Sequence, residues 1–122
     1  MNNQVSWVFE VAVKPGKIDA FRTLMEEMVE STRAEPGAVV YEWFVSDDES
    51  VVILYERYAD SAAVLTHSEA FQAKFAGQFL ELVDPVKFTV LGTLSDEARA
   101  ALSRPGRVFL EPFGGFARGI DA

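Results

Sequence analysis

Hydrophobic and polar positions alternate in three segments of the chain, a spacing that is typical of β-strands. The three segments are Val5–Val13, Ala38–Val45 and Val51–Tyr58. A fourth strand is predicted from Val86 to Leu94, after Asp84-Pro85. The polar residues from Ser46 to Ser50 predict a hairpin loop between the second and third strands.

Two longer segments have apolar residues at every third or fourth position, which predicts amphipathic helices. The first follows Lys14-Pro15-Gly16 and stops before Glu35-Pro36-Gly37, since proline disfavours helical geometry in the residue before it. The second begins at Asp60 or Ser61, either of which can cap it, and ends at Asp84-Pro85.

The order strand, helix, strand, strand, helix, strand is that of an α+β, ferredoxin-like βαββαβ fold, with an antiparallel sheet and two helices on one face. We expect a single domain over residues 1–122, since this length suits one hydrophobic core. Its core would be residues 5–94, and residues 95–122 would form a C-terminal extension. The extension is predicted to contain a short helix, an edge strand and an irregular flap, at Ser95–Leu102, Val108–Leu110 and Glu111–Phe116.

The second predicted helix carries the chain's one histidine within an apolar stripe. On a helix, one side would present Val64, His67, Phe71, Phe75, Phe79 and Leu82. We therefore expect His67 to face inward. Thr66 and Glu69 also form a capping-box pattern, so the sequence allows the helix to restart there and turn His67 away.

The two faces of the predicted sheet differ in a way that concerns assembly. Odd-numbered residues of the first three strands are nearly all apolar or aromatic, so we expect this face to meet the helices. The opposite face would expose Val8, Val40, Phe44, Val52 and Leu54. Each contributes roughly 1.5–3 kcal/mol when fully buried. Because exposed patches of this kind mark interfaces, we expect a homodimer packed sheet against sheet.

Composition narrows the possible partners. A net charge of −8 disfavours nucleic acid and anionic membranes. No apolar run approaches a membrane span, and the first residues lack the basic segment of a secretory signal, so we expect a cytoplasmic protein. The chain has no cysteine and one histidine. Although Glu10, Glu42 and Glu56 are assigned to one sheet face, we therefore expect no metal site.

The odd face of the sheet and the stripe around His67 together predict a small-molecule pocket. Its substrate-binding residues would be Trp7, Phe9, Tyr41, Trp43, Tyr55, Phe71, Phe75 and Phe88. Aromatic walls with a few polar groups suit a small aromatic ligand. His67, with an ordinary pKa near 6.5, would take a phenolic proton, and Arg57 would stabilise the phenolate. A plainer interpretation makes the stripe ordinary core, His67 a hydrogen-bonded core residue and Arg57 a partner of a carboxylate.

Two motifs resemble the antibiotic biosynthesis monooxygenase (ABM) domain family. They are E-P-G-x-V-x-Y from Glu35 to Tyr41 and Y-E-R-Y-A-D-S-A-A-V-L-x-H from Tyr55 to His67, with Phe71 following. The resemblance covers about residues 5–92. Two further segments are similar to the tail of one subgroup: L-S-x-E-A-R-A-A-L at 94–102 and F-L-E-P-x-x-G-F-A-R at 109–118.

The resemblance implies a dimeric α+β barrel and one of several activities. Related domains oxygenate phenols, degrade haem, isomerise products of sugar breakdown or have no known activity. We interpret the chain as a cofactor-independent monooxygenase that oxidises a quinol or polycyclic phenol with molecular oxygen, since electron-rich phenolates react with oxygen directly. The alternatives are a dimeric domain that binds an aromatic ligand without turnover and, third, a haem-degrading or isomerase relative.

Overall fold

A computed structural model of the chain describes residues 3–118. Its elements in chain order are β1 (Val5–Val13), α1 (Ile18–Arg33), β2 (Ala38–Val45), β3 (Val51–Tyr58), α2 (Ser61–Lys74), α3 (Ala76–Leu82), β4 (Val83–Leu91), α4 (Asp96–Leu102) and β5 (Val108–Leu110). The predicted ferredoxin-like order is confirmed. The bounds of the first three strands are those that their alternating pattern predicts.

The five strands form one sheet in the order β2-β3-β1-β4-β5. The first four are antiparallel to their neighbours, while β5 pairs with β4 in parallel. The predicted edge strand in the C-terminal extension is therefore present and makes the sheet mixed. Ser95 caps α4 as expected, because its side chain accepts a hydrogen bond from the Ala98 N–H at 3.1 Å.

The second helix differs from its prediction in two ways. The helix runs unbroken past Thr66 and His67, so no restart occurs there. It is interrupted instead at Phe75, where the backbone leaves helical geometry (φ −128°, ψ −22°) and separates α2 from α3. The inward orientation of His67 is therefore kept, while the stripe continues on a second, shorter helix.

Strand β4 begins at Val83, so the prediction that Asp84-Pro85 separates a helix from a strand is wrong. Pro85 lies within the strand, opposite Val11. The register of β1 against β4 shifts between Glu10 and Val11. Such a bulge accommodates a residue that has no N–H to donate, which is why proline is tolerated at this point of the sheet.

The face assigned to β3 is also wrong. Ser46 N–H donates to Val51 O at 2.9 Å, and this hairpin pairs Val45 with Val52. Odd residues of β2 therefore lie opposite even residues of β3, and Trp7 of β1 likewise lies opposite Glu56. Because side chains alternate between faces, this register sends the even residues of β3 toward the helices and the odd ones away.

The hydrophobic core lies between the sheet and the helices. It contains Trp7, Phe9 and Val11 of β1, as predicted, but also Val52 and Leu54 of β3, which were expected on the opposite face. The opposite face, here called the open face, carries apolar side chains from all five strands. They include Val8, Val40, Phe44, Ile53, Tyr55, Leu91, Val108 and Leu110.

The tail after β5 lies at one edge of the open face. Residues of the tail line a groove together with Ser6, Arg57 and Leu91. Thr93 Oγ1 donates to Glu111 Oε2 at 3.0 Å, while the side chain of Phe113 is fully exposed. Between residues 3 and 118, no helix is long and apolar enough to cross a membrane.

Candidate functional site

His67 lies on α2 and faces the sheet, with 7% of its surface exposed. The start of this helix is fixed by Asp60, whose side chain accepts a hydrogen bond from the Ala63 N–H at 2.9 Å. Helix α2 also approaches the loop before β2 closely, since a Cβ atom at Gly37 would clash with the Cβ of Ala63. Glycine at this position therefore allows the loop, and Glu35 within it, to reach the histidine.

Both ring nitrogens of His67 face carboxylates. Nδ1 lies 3.2 Å from Glu35 Oε1, and Nε2 lies 3.3 Å from Glu56 Oε1. All three side chains are nearly buried, with exposed fractions of 9%, 12% and 5% for His67, Glu35 and Glu56. We call these three residues the carboxylate–histidine cluster.

Glu56 is the most heavily hydrogen-bonded member of the cluster. Its Oε2 accepts from the Trp7 indole N–H at 2.7 Å, and its Oε1 accepts from the Tyr58 hydroxyl at 2.7 Å. A buried carboxylate is costly unless such donors compensate for the lost water. The indole and hydroxyl donors therefore explain how a charged residue is accommodated at the centre of β3.

The cluster changes the protonation of its histidine. Burial alone would lower the pKa of His67, but hydrogen bonds and charge attraction from Glu56, and then Glu35, outweigh it and raise the pKa above 6.5. A raised pKa favours the protonated form of the imidazole. In this form the imidazolium donates to both carboxylates.

Three aromatic rings surround the histidine. The ring centroids of Tyr58, Tyr41 and Trp7 lie 4.9, 5.6 and 6.3 Å from that of His67. Burial, together with the charge of Glu56, raises the pKa of both tyrosines far above the ordinary value of 10.0. Both phenols therefore stay neutral, and that of Tyr58 donates to Glu56, whereas that of Tyr41 is hydrogen-bonded to Thr32.

A cavity of about 60 Å³ leads from the cluster to the surface. Its inner end is formed by Glu56, His67 and Tyr41. Aromatic and apolar side chains form the walls: Trp7, Phe9, Met28, Leu54, Phe71, Phe79 and Phe88. The C-terminal extension contributes to the lining with Ala101, Leu102, Arg104 and Arg107.

Arg107 is held in place by two contacts. Its guanidinium lies over the Phe88 ring, 3.9 Å from the centroid, and Nη1 donates to Leu102 O at 2.7 Å. Burial and the neighbouring charge of Arg104 lower the pKa of Arg107 below its ordinary value, although the charge of Glu56 acts in the opposite direction. The cavity therefore has an acidic inner end and a basic outer part.

The structure brings together six of the ten residues predicted for the pocket. The cavity is lined by Trp7, Phe9, Tyr41, His67, Phe71 and Phe88. Trp43 and Phe75 are partly buried against the core but line other depressions, Trp43 beside α1 and Phe75 beside Lys74. Their placement follows from the outer position of β2 in the sheet and from the break between α2 and α3.

Arg57 and Tyr55 do not lie near His67. Because they are odd residues of β3, they project from the open face, on the other side of the sheet. There Arg57 donates to the Tyr55 hydroxyl at 2.9 Å and to Gln4 Oε1 at 3.0 Å. The expectation that Arg57 stabilises a phenolate beside His67 is wrong in its geometry, and so is the expected pairing of Arg57 with a carboxylate.

The residues of the site that sequence reasoning missed include Glu35, Glu56, Tyr58, Arg104 and Arg107. Glu35, Glu56 and Tyr58 belong to the two motifs that resemble the ABM family, so the motifs contained the information needed to find these residues. Glu56 was instead grouped with Glu10 and Glu42, which project from the open face. Within residues 3–118, no group of three or more histidine or acidic side chains is arranged to hold a metal ion.

The fold and the site define an α+β protein with a helix-covered aromatic pocket that ends at a buried ionic cluster. Residues 5–74 match the sequence model of the family described as antibiotic biosynthesis monooxygenase. The chain belongs to this family, which confirms the resemblance of the two motifs.

Individual relatives agree with this assignment. The Mycobacterium tuberculosis protein named "Putative monooxygenase Rv0793" is 33% identical over 102 residues, which are 82% of this chain and 100% of the relative. The solved structure of Rv0793 covers 76% of this chain and 97% of its own at 30% identity, with a TM-score of 0.66. MupZ from Pseudomonas fluorescens shares the fold over 97% of this chain and 91% of its own, with 22% identity and a TM-score of 0.86.

Proposed function

We propose that the protein is a monooxygenase that oxidises a quinol or polycyclic phenol with molecular oxygen. The observation that carries the proposal is an aromatic cavity that ends at a buried acid–base cluster. Aromatic walls bind a planar substrate, and the cluster accepts its phenolic proton. Membership of the ABM family and the name of the relative Rv0793 support this reaction class.

The net charge of the cluster explains how it can accept the phenolic proton of the substrate. With His67 protonated, the two carboxylates leave a net charge of −1, so one further proton makes the cluster neutral. Because the three side chains are in hydrogen-bond contact, we treat them as one unit that accepts the proton. We assign Glu56 as the entry point, because its carboxylate lines the cavity directly.

The overall reaction is balanced without an external reductant. A quinol and one oxygen molecule give a hydroxyquinone and one water. One oxygen atom forms the new carbon–oxygen bond and the other leaves as water, while the substrate supplies all four electrons. Removing the phenolic proton makes the ring electron-rich enough to pass an electron to oxygen, and the aromatic walls of the pocket limit the contact of the resulting intermediates with solvent.

The open face of the sheet supports the homodimer. Phe44 is 56% exposed and pairs with the partly buried Ile53, while Leu110 is 50% exposed and pairs with Leu91 toward the other edge of the sheet. We propose that two subunits pack through this face. Arg57 and Tyr55 would then belong to the subunit interface, which gives these two residues a role different from the predicted one.

Oxygen uptake tests the proposed activity. Wild-type protein should consume oxygen with a reduced quinone or an anthrone-like phenol, and Glu56→Gln should lose about 100-fold or more in rate, since general acid–base groups contribute 10²–10⁴-fold. Glu69→Gln, an exposed substitution on α2, is the matched control and should retain full activity. Unchanged activity in Glu56→Gln would remove this glutamate from the mechanism.

The second candidate is a domain that binds an aromatic ligand without turnover. It is favoured by one observation: both nitrogens of His67 already face carboxylates, so neither is free to contact a substrate. In that case quinols and their analogues would raise the melting temperature of the protein, but no phenol tested would cause oxygen uptake above the rate in buffer.

A further inference from the structure

We propose that the substrate of this pocket carries a carboxylate beside its phenolic ring, and that Arg104 and Arg107 bind this carboxylate at the mouth. The inference rests on the proposed function and narrows it to hydroxyaryl carboxylates. It concerns the outer part of the cavity, which the acid–base cluster does not occupy.

The first observation is a pair of positive charges that makes no ion pair within residues 3–118. The protein has 19 acidic and 11 basic residues, yet both arginines line one cavity. Within residues 3–118, neither guanidinium has a carboxylate within 4.0 Å. Two cations held close together in an acidic protein are best explained by an anionic ligand that neutralises them.

The second observation is that both guanidiniums are already oriented. Phe88 and Leu102 O fix Arg107, while Arg104 Nη1 donates to Ser103 O at 2.6 Å. A guanidinium has five N–H donors in a planar fork, so each arginine keeps donors for a ligand. The fork matches the two oxygens of a carboxylate, and prior orientation reduces the entropy lost on binding.

The third observation is the polarity of the cavity. A carboxylate would be repelled by Glu56 and Glu35 at the inner end and attracted by the arginines at the outer part. A hydroxyaryl carboxylate would therefore enter with its phenol toward the cluster. The arginines would in this way determine both which substrate binds and which ring position faces the cluster.

The two arginines also lie in a separate part of the chain from the cluster. Glu35, Glu56 and His67 fall within residues 5–74, which match the family model, whereas α4 and the loop after it lie outside that range. The pocket therefore combines an acid–base end from the family core with a mouth from the C-terminal extension. In this arrangement the C-terminal extension determines which substrates the pocket selects.

Binding of two matched ligands tests the inference without requiring turnover. The ligands are 1-hydroxy-2-naphthoate and 1-naphthol, which differ by the carboxylate, and their affinities can be measured by isothermal titration calorimetry. Wild type should bind the naphthoate at least tenfold more tightly. Arg104→Gln and the double variant Arg104→Gln/Arg107→Gln should progressively lose this preference while retaining their affinity for 1-naphthol.

Arg99→Gln is the matched control, because Arg99 lies on α4 but contacts Phe109, 4.3 Å from the ring centroid, and does not line the cavity. This variant should keep the wild-type preference. Equal binding of both ligands by wild type, or an unchanged preference in Arg104→Gln and the double variant, would overturn the inference. Arginine-dependent preference without oxygen uptake on 1,4-dihydroxy-2-naphthoate would instead refute the monooxygenase and leave the carboxylate site standing.

Discussion

Among the single residues of the site, Glu56 has the largest part in the proposed acid–base chemistry. Its carboxylate is removed from water and stabilised by Trp7, Tyr58 and His67, and its charge raises the pKa of the histidine. The alternating pattern of β3 did not predict this role, because both faces of the strand carry apolar residues. A charged residue on either face has the same appearance in the sequence, and only pairing with β1 shows which face is buried.

The single histidine allows a direct test of this coupling. Glu56→Gln removes the charge and keeps one carboxamide oxygen as an acceptor for the Trp7 indole, while the Tyr58 hydroxyl can accept from the amide nitrogen, so the pKa of His67 should fall. Titration of the His67 imidazole proton by NMR, which is free of overlap from other histidines, measures the change. Glu69→Gln should leave the titration unchanged, and a pKa of His67 that is equal in Glu56→Gln and wild type would contradict the coupling.

The same coupling predicts a pH dependence of stability. Because the pKa of His67 is raised in the folded state, its stabilising contribution is complete below about 6.5, the unfolded value, and is lost as pH rises through the folded pKa. The free energy of unfolding, measured by urea denaturation between pH 6 and 9, should therefore fall with pH.

The fall should be smaller in His67→Gln, which has no imidazole to titrate. Groups elsewhere in the chain contribute equally to both proteins, so the difference between the two curves isolates the histidine. Parallel curves over this range would show that the histidine binds its proton equally in the folded and unfolded states.

At the scale of elements, the position of α2 against the loop before β2 builds the cluster. The bounds of β1, β2 and β3 and the N-cap of α2 were predictable because alternation, turn residues and capping are local properties. The break at Phe75 was not, since residues on both sides of it continue the same apolar stripe. The face of β3 was not predictable either, because it depends on how the hairpin closes.

A substitution at Gly37 tests whether the close approach of α2 to the loop before β2 positions the cluster. Gly37→Ala should force the loop away from Ala63 and destabilise the protein by about 1–3 kcal/mol, the range for overpacked sites. It should also lower the pKa of His67, because Glu35 moves with the loop. Urea denaturation and the NMR titration measure the two effects.

Gly77→Ala in α3 is the control, since a Cβ atom there meets nothing within 4 Å. Alanine is the better helix former, so stability should stay equal or rise by up to about 1 kcal/mol. If Gly37→Ala were as harmless as Gly77→Ala, close approach of α2 to the loop would not be what positions the cluster.

At the scale of the whole molecule, the helices cover one face of the sheet and leave the open face with apolar side chains. The apolar residues on both faces of the strands predicted such a face. Val8, Val40 and Phe44 lie on it as expected, whereas Val52 and Leu54 are buried in the core. Register again explains the difference. Ile53 and Tyr55 take the places that Val52 and Leu54 were expected to fill.

Sedimentation tests the open face as a subunit interface. Wild type should be a dimer at micromolar concentration, and Phe44→Asp should shift it toward monomer without unfolding, because a charge would be buried in the interface. Leu80→Asp is the control, as Leu80 is 51% exposed on α3, on the helical side. A monomeric wild type, or a dimer that Phe44→Asp leaves intact, would contradict the proposed interface.

We propose that this pocket inserts one atom of molecular oxygen into a phenolic substrate. Incubation of the wild-type protein with a quinol under ¹⁸O₂, followed by immediate reduction and acetylation of the product and mass spectrometry, tests it most directly. We expect one ¹⁸O atom in each product molecule. Glu56→Gln should form this labelled product at least 100-fold more slowly. A product without the label, or a rate of labelling equal to that without protein, would contradict it.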